Sequence, residues 1–353
     1  METPLRRTMK MTVVASVAAL ALAACGSSDA TTPEASGSGS PSAGPMIKVG
    51  LAYDIGGRGD KSFNDAAAAG LEKAKSELGV ETKELEAKAG ETDAQKEERL
   101  RLLASGGYDT IVAVGFAYAG PLKKVAPEFP KVNFAIIDDS SFQAPNVANL
   151  VFAANEGSFL VGAAAALKSK TAHVGYIGGV QTPLLEVFQA GFDAGAKAVN
   201  PAIKIDVKYL TQIPDFSGFA DSAKGRVTGE GMYQGGADVI FAAAGLSGLG
   251  VFEAAVAAKT LAIGVDSDQY NTVDAALQPV VMTSMIKKVD VAVFDFVKSV
   301  KDGSPLSGET LFDLKSGGVD YSISGGQVDD IKTKLDDYKA KIISGEIKVP
   351  ATP

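Results

Sequence analysis

Runs of consecutive apolar residues recur along this chain, and amphipathic segments fill the intervals between them. IKVGLAY (47–53), TIVAVG (110–115), VNFAIID (132–138), AHVGYIG (172–178), ADVIFAAAG (237–245), LAIGVD (261–266) and VVMTSM (280–285) are too short for helices and do not alternate with polar residues. Short, mainly apolar runs of this length predict strands buried on both faces of a parallel sheet. After the first run, Ala67, Leu71, Ala74 and Leu78 share one helical face. Further amphipathic stretches lie near 92–105, 155–168, 183–199, 219–235, 248–258 and 286–302. Strand and helix in alternation predict an α/β chain with parallel sheets.

The roughly 300 residues from Met46 onward exceed one ordinary core and predict two lobes. A slight internal echo agrees: KVGLAYDIGG…AAAAGLEKAKSELG and HVGYIGGV…FQAGFDAGAKAVNP both run strand, glycine loop, then a helix carrying an Ala-Gly pair. In open α/β sheets ligands sit beyond the carboxyl ends of the strands. GRGDKSFND, Asp138, AAAGLSG and GVDSDQ all fall at such ends, on segments of both lobes, so a cleft between lobes would gather them.

The amino terminus changes the picture of where such a cleft works. METPLRRTMK is followed by the apolar stretch MTVVASVAALALA, the layout of a secretory signal peptide over residues 1–24. Leu22-Ala23-Ala24-Cys25-Gly26 resembles the lipobox of bacterial lipoproteins, so Cys25, the chain's one cysteine, is the expected lipidation site. Residues 26–45 are rich in Gly, Ser and Pro with no large apolar side chain. Together with Cys25 they predict a flexible tether over 25–45. The expected location is extracytoplasmic, held to the cell membrane by lipid alone. A formal net charge of −8, before three basic residues leave with the signal, argues against nucleic acid as a partner.

Candidate chemistry concentrates in GRGDKSFNDAA (57–67). Gly57-Arg58-Gly59 would begin a dinucleotide fingerprint, but Ser62 occupies the place of its third glycine, and GDKS lacks the order of a phosphate-binding P-loop. An enzyme lacks its parts. His173 is the one histidine and precedes the apolar run VGYIG, where a structural role is expected, and G-x-S-x-G is absent from the sequence. Neither a metal nor any cofactor is expected. Asp266 and Asp268 read as hydrogen-bond acceptors or a solvated turn. Binding fits better. Phe63 offers a flat π face beside the donor and acceptor of Asn64, the groups that read a heteroaromatic ring. The plainer account keeps Ser62 or Asn64 as a helix cap and tucks Phe63 into the core. Asp138 would accept from a ring N–H, and Asp266 from two sugar hydroxyls.

Asp54…GDKSFND, AIID, FADSAKG, GADVIFAAAGLSGLGV, IGVDSDQ and TSMIKKVDVAV occur in one order along the chain. Together they resemble the basic membrane protein (Bmp) family of lipoproteins, purine nucleoside receptors of bacterial ABC transporters. The resemblance spans Ile47 to about Gly318. It implies the type I periplasmic-binding-protein architecture, two doubly wound lobes joined by three crossovers. Residues 47–150 plus 268–306 would form the first lobe and 151–267 plus 307–353 the second. It also implies roles. Phe63 and Phe219 would stack on the two faces of a purine, with Phe216 an alternative to Phe219. Asn64 and Asp138 would bond the base edge. Gly245, Asp266 and Lys287 would hold the ribose, with Lys288 an alternative to Lys287, and Asp54 would shape the site near the sugar. The implied partners are a purine nucleoside and a membrane permease, and the protein is expected to be a monomer. A receptor for sugars or another polar solute, or a tethered ligand sensor, uses the same parts. Paired rings would distinguish a nucleoside site from these.

Overall fold

The computed structural model describes residues 46–353; the signal segment, Cys25 and the tether lie outside them. The chain opens with strands β1 (Lys48–Ala52), β2 (Glu81–Leu85), β3 (Thr110–Ala113), β4 (Asn133–Ile137) and β5 (Val147–Phe152). Helices α1 (Phe63–Leu78), α2 (Asp93–Ser105) and α3 (Ala119–Val125) link the first four of them. It then crosses through α4 (Ala154–Lys168) into β6 (His173–Gln181), α5 (Pro183–Val199), β7 (Lys204–Gln212), α6 (Ser222–Gln234) and β8 (Val239–Ala243). This second series continues through α7 (Gly248–Ala258), β9 (Leu261–Asp266), α8 (Gln269–Thr272) and β10 (Val281–Lys287). Helix α9 (Val289–Lys301), β11 (Gly308–Phe312), β12 (Val319–Tyr321) and α10 (Lys332–Ile343) complete the chain.

Two six-stranded sheets result, in the orders β11-β5-β4-β3-β1-β2 and β12-β10-β9-β8-β6-β7. Every pairing is parallel except that of β12 with β10. Central strands are buried nearly end to end, as in Val239–Ala243, because helices cover both faces. This is the expected α/β fold with two doubly wound lobes. The expected helices at 183–199 and 248–258 match α5 and α7 to the residue. Helix starts are locally encoded. Thr92 and Gln95 form a reciprocal capping box on α2, and Thr182 accepts from the Leu185 amide at 3.2 Å ahead of Pro183 in α5.

The lobe boundaries differ from the expected ones. Strand β10, placed with the first lobe in the split at 267/268, pairs with β9 and β12 of the second sheet. Strand β11, placed with the second lobe, pairs with β5 of the first. The chain therefore crosses after β5, after β10 and after β11, and α9 returns to pack on α1. Strand β10 is buried along its whole length, and the second sheet flanks it with β9 on one side and β12 on the other.

Candidate functional site

The loop that leaves β1 is organised by a residue that the sequence reading did not single out. Asp60, 1% exposed, accepts from the Ser62 amide (2.9 Å), the Asn64 amide (2.9 Å) and the Asp65 amide (3.1 Å). It caps α1, the task assigned above to Ser62 or Asn64. The Asn64 amide is engaged inward. Its Oδ1 accepts from the Asp54 N–H (3.1 Å), and its Nδ2 donates to Asp60 Oδ2 (3.0 Å) and toward the Ile55 carbonyl (3.4 Å). Asn64 thus holds Asp54 and the loop in place, which limits its freedom to read a ligand.

Three strand ends bring charge to the same place. Asp138 follows β4 and Asp266 ends β9; both adopt a left-handed backbone, φ 66° and 65°, which short polar residues tolerate and which gathers at functional sites. Lys287 ends β10, beside Asp266 through the Ile286–Asp266 register. Its ammonium bonds to Asp138 across the lobes and lies 3.8 Å from Asp266. It also sits 4.5 Å from the Phe63 ring centre, 5.2 Å from that of Phe152 and 5.6 Å from that of Phe188, an aromatic setting that favours a cation. Lys288 does not line the cavity; it lines an adjoining groove with Asp290 and Asp320, which Asp266 and Lys287 also border. The strand-end alternation decides between the two lysines.

A cavity of ≈ 60 Å³, partly open to solvent, lies between these groups. Asp54, Phe63, Asn64, Asp138, Phe219, Gly245, Asp266 and Lys287 all line it. Phe219 is admitted by Gly179 of β6: a Cβ there would come within 2.4 Å of its ring. Phe216 instead turns to a neighbouring recess and rests against Phe116, ring centres 5.9 Å apart and tilted by 54°. Sequence reading missed Asp60, Phe116, Leu184, Leu185 and Phe188, which with Ile55, Ala243 and Val265 complete the lining. Leu184, Leu185 and Phe188 belong to the first turns of α5, and the placement of α5 beyond β6 was the one signal that could have found them.

Burial dominates the electrostatics. It pushes the Asp54 carboxyl up to about 7, against the Ile55 N–H and the Lys96 charge, and the Asp266 carboxyl up to about 6, against Lys287 and the Ser62 hydroxyl. Asp138 is pushed upward by burial too, and the Lys287 ammonium opposes that. The arrangement offers hydrogen-bond acceptors of adjustable charge and one ammonium around a largely apolar, ring-lined space. Among the described residues no cluster of three metal-ligating side chains occurs. His173 lies at the start of β6, 2.8 Å from Asp206 Oδ2 and outside the cavity lining. Among the described residues no helix is long and apolar enough to cross a membrane.

The chain is similar to known proteins over nearly its whole length. A "CD4+ T-cell-stimulating antigen" of Listeria innocua is 36% identical over 94% of this chain and 95% of its own length. An "ABC transporter nucleoside-binding protein BmpA" of Lactococcus lactis is 32% identical over 98% of this chain and 99% of its own. A crystal structure of an ABC transporter solute-binding protein from Aeropyrum pernix superposes with a TM-score of 0.75 at 31% identity, covering 86% of this chain and 94% of that one. The family model "Bmp: ABC transporter substrate-binding protein PnrA-like" matches residues 47–353. The chain belongs to this family of ABC transporter substrate-binding proteins, which are receptors rather than enzymes.

Proposed function

We propose that this solute-binding protein captures purine nucleosides in the interlobe cavity and hands them to an ABC transporter permease, while a lipid on Cys25 keeps it at the membrane. The observation that carries the reading is the convergence of Phe63 and Phe219, one from each lobe, on one cavity with Asp138, Asp266 and Lys287. Rings stack on a purine in a sequence-tolerant way, worth ~1–3 kcal/mol each by analogy with base stacking. Asp138 accepts from a ring N–H. Asp266 accepts from sugar hydroxyls, with Lys287 beside it to keep it charged and Gly245, at φ 54°, allowing close approach. Asn64 serves by holding Asp54 and the loop. A sugar receptor would need no second ring, so the nucleoside reading is preferred to it. The relative named as nucleoside-binding supports the same choice.

No covalent step is involved. Closure of the lobes buries the ligand and presents one shape to the permease. A single acyl chain anchors only marginally, so firm attachment needs the several chains of a bacterial lipoprotein. Mass spectrometry of small molecules released from gently purified protein tests the reading. A purine nucleoside is expected. Its absence, together with no calorimetric heat on adding inosine, adenosine or guanosine, would overturn it.

A further inference from the structure

The two most specific motifs of the sequence, GDKSFND and IGVDSDQ, contain residues with no role so far. The fold presses them against each other across the lobes. The Gln269 side chain is 1% exposed and bonds to both lobes. Its Oε1 accepts from the Val265 N–H at 2.9 Å in its own lobe, and its Nε2 donates to the Lys61 carbonyl at 3.0 Å in the other. The Ser267 hydroxyl donates to the Ser62 carbonyl at 2.9 Å, and the Ser62 hydroxyl reaches Asp266 Oδ2 at 2.8 Å. Gly264 makes room: a Cβ there would meet Gln269 Oε1 at 2.5 Å. Phe63 follows Ser62 directly, and Asp266 follows Val265.

We infer that Gln269 is a positioning residue that docks the Phe63 loop of the first lobe onto the Asp266 loop of the second. The ring that stacks and the carboxylate that grips hydroxyls are then set by one seam. Gln269 itself does not line the cavity. Its loss leaves the buried Val265 N–H without its acceptor, where an unmade bond is costly, and removes the cross-lobe bond to the part-buried Lys61 carbonyl. Both subsites loosen together.

The choice of ligand in the test rests on the nucleoside reading; the seam does not. Amide hydrogen exchange of the ligand-free chain is compared for wild type and Gln269→Leu, and calorimetry follows inosine and hypoxanthine. Faster exchange at Val265 is expected, with inosine affinity falling about tenfold and hypoxanthine affinity, which draws on the ring subsite alone, falling by a smaller factor. Gln269→Glu supplies a variant that keeps the shape. As a neutral acid it reproduces donor and acceptor, and as a carboxylate it loses the donor. Its affinity relative to wild type at the same pH is therefore expected to fall as pH rises from 5 to 8. Unchanged Val265 exchange in Gln269→Leu would overturn the seam. So would a loss confined to inosine, or a Gln269→Glu affinity parallel to wild type at every pH. If the wild-type chain binds neither compound, the exchange comparison alone decides the seam.

Discussion

The two ends of the cleft are made of different matter. At one, Lys287 of the second lobe bonds to Asp138 of the first, with Asp266 3.8 Å away and each side chain less than a tenth exposed. At the other, Phe116 of the first lobe meets Phe216 of the second, two tilted rings with no hydrogen bond between them. Phe116 follows β3 and Phe216 follows β7, and the adjoining recess is lined by Lys88 and Glu91 after β2 and by Pro214 and Asp215 after β7. Strands β2 and β7 are the sheet edges away from the crossovers. Parting the charged end strands buried ions, whereas parting the aromatic end separates two rings and draws Lys96 from the face of Phe216, 5.7 Å from its ring centre. The difference teaches that strength and access are assigned to opposite ends of one cavity.

The largest effect is expected from breaking the charged end. Lys287→Met leaves Asp138 and Asp266 buried without their cation, and urea unfolding should show a loss of about 3–5 kcal/mol together with loss of ligand binding. A stability equal to wild type would mean that this end does not hold the lobes.

Second comes pH. Asp54 has a folded pKa of about 7 against an ordinary 3.8, so the folded chain binds more protons than the unfolded one between those values. The contribution of Asp54 is full below about pH 4 and is lost as pH rises through 7. Against Asp54→Asn, wild type should lose on the order of 2–4 kcal/mol across that window. Parallel curves for the two proteins would contradict it.

Third, Phe63→Ala should weaken nucleoside binding more than tenfold, the lower part of the ~1–3 kcal/mol stacking range, with the unfolding midpoint little changed. Unchanged calorimetric affinity would remove Phe63 from the site. The smallest effect is expected at the aromatic end. Phe216→Ala should speed ligand release by about two- to tenfold in stopped-flow measurements, in proportion to one aromatic contact of ~0.5–1.5 kcal/mol. A release rate matching wild type would show that ligand leaves elsewhere.

Much of this was legible in residues whose environment is local. The buried central strands β1, β3, β4, β6, β8, β9 and β10 each carry an apolar run that needs no partner to be recognised. The four sheet edges, β2, β7, β11 and β12, escaped detection. An edge strand such as ETKEL buries one face at most, so polar residues occupy it freely. Strand β5 escaped for another reason: Asn149 interrupts its apolar run. Its side chain is buried and donates to the Asp139 and Phe142 carbonyls at 3.0 and 3.1 Å, pinning the loop beyond Asp138. In the site, the eight expected residues meet at one cavity. Yet only contacts made in three dimensions separate Phe219 from Phe216, or show that the Asn64 amide is engaged inward.

By itself the sequence determined the buried central strands and the alternating α/β grammar. Apolar runs, caps and glycine turns act within a few residues, and so do the left-handed aspartates that close two of the strands. Tertiary structure decided the rest: which sheet β10 and β11 join, which carboxylate Lys287 reaches, and that Gln269 spans the lobes. Those outcomes depend on desolvation and on pairings between residues up to 208 positions apart, and no local pattern encodes an energy set by such distant neighbours.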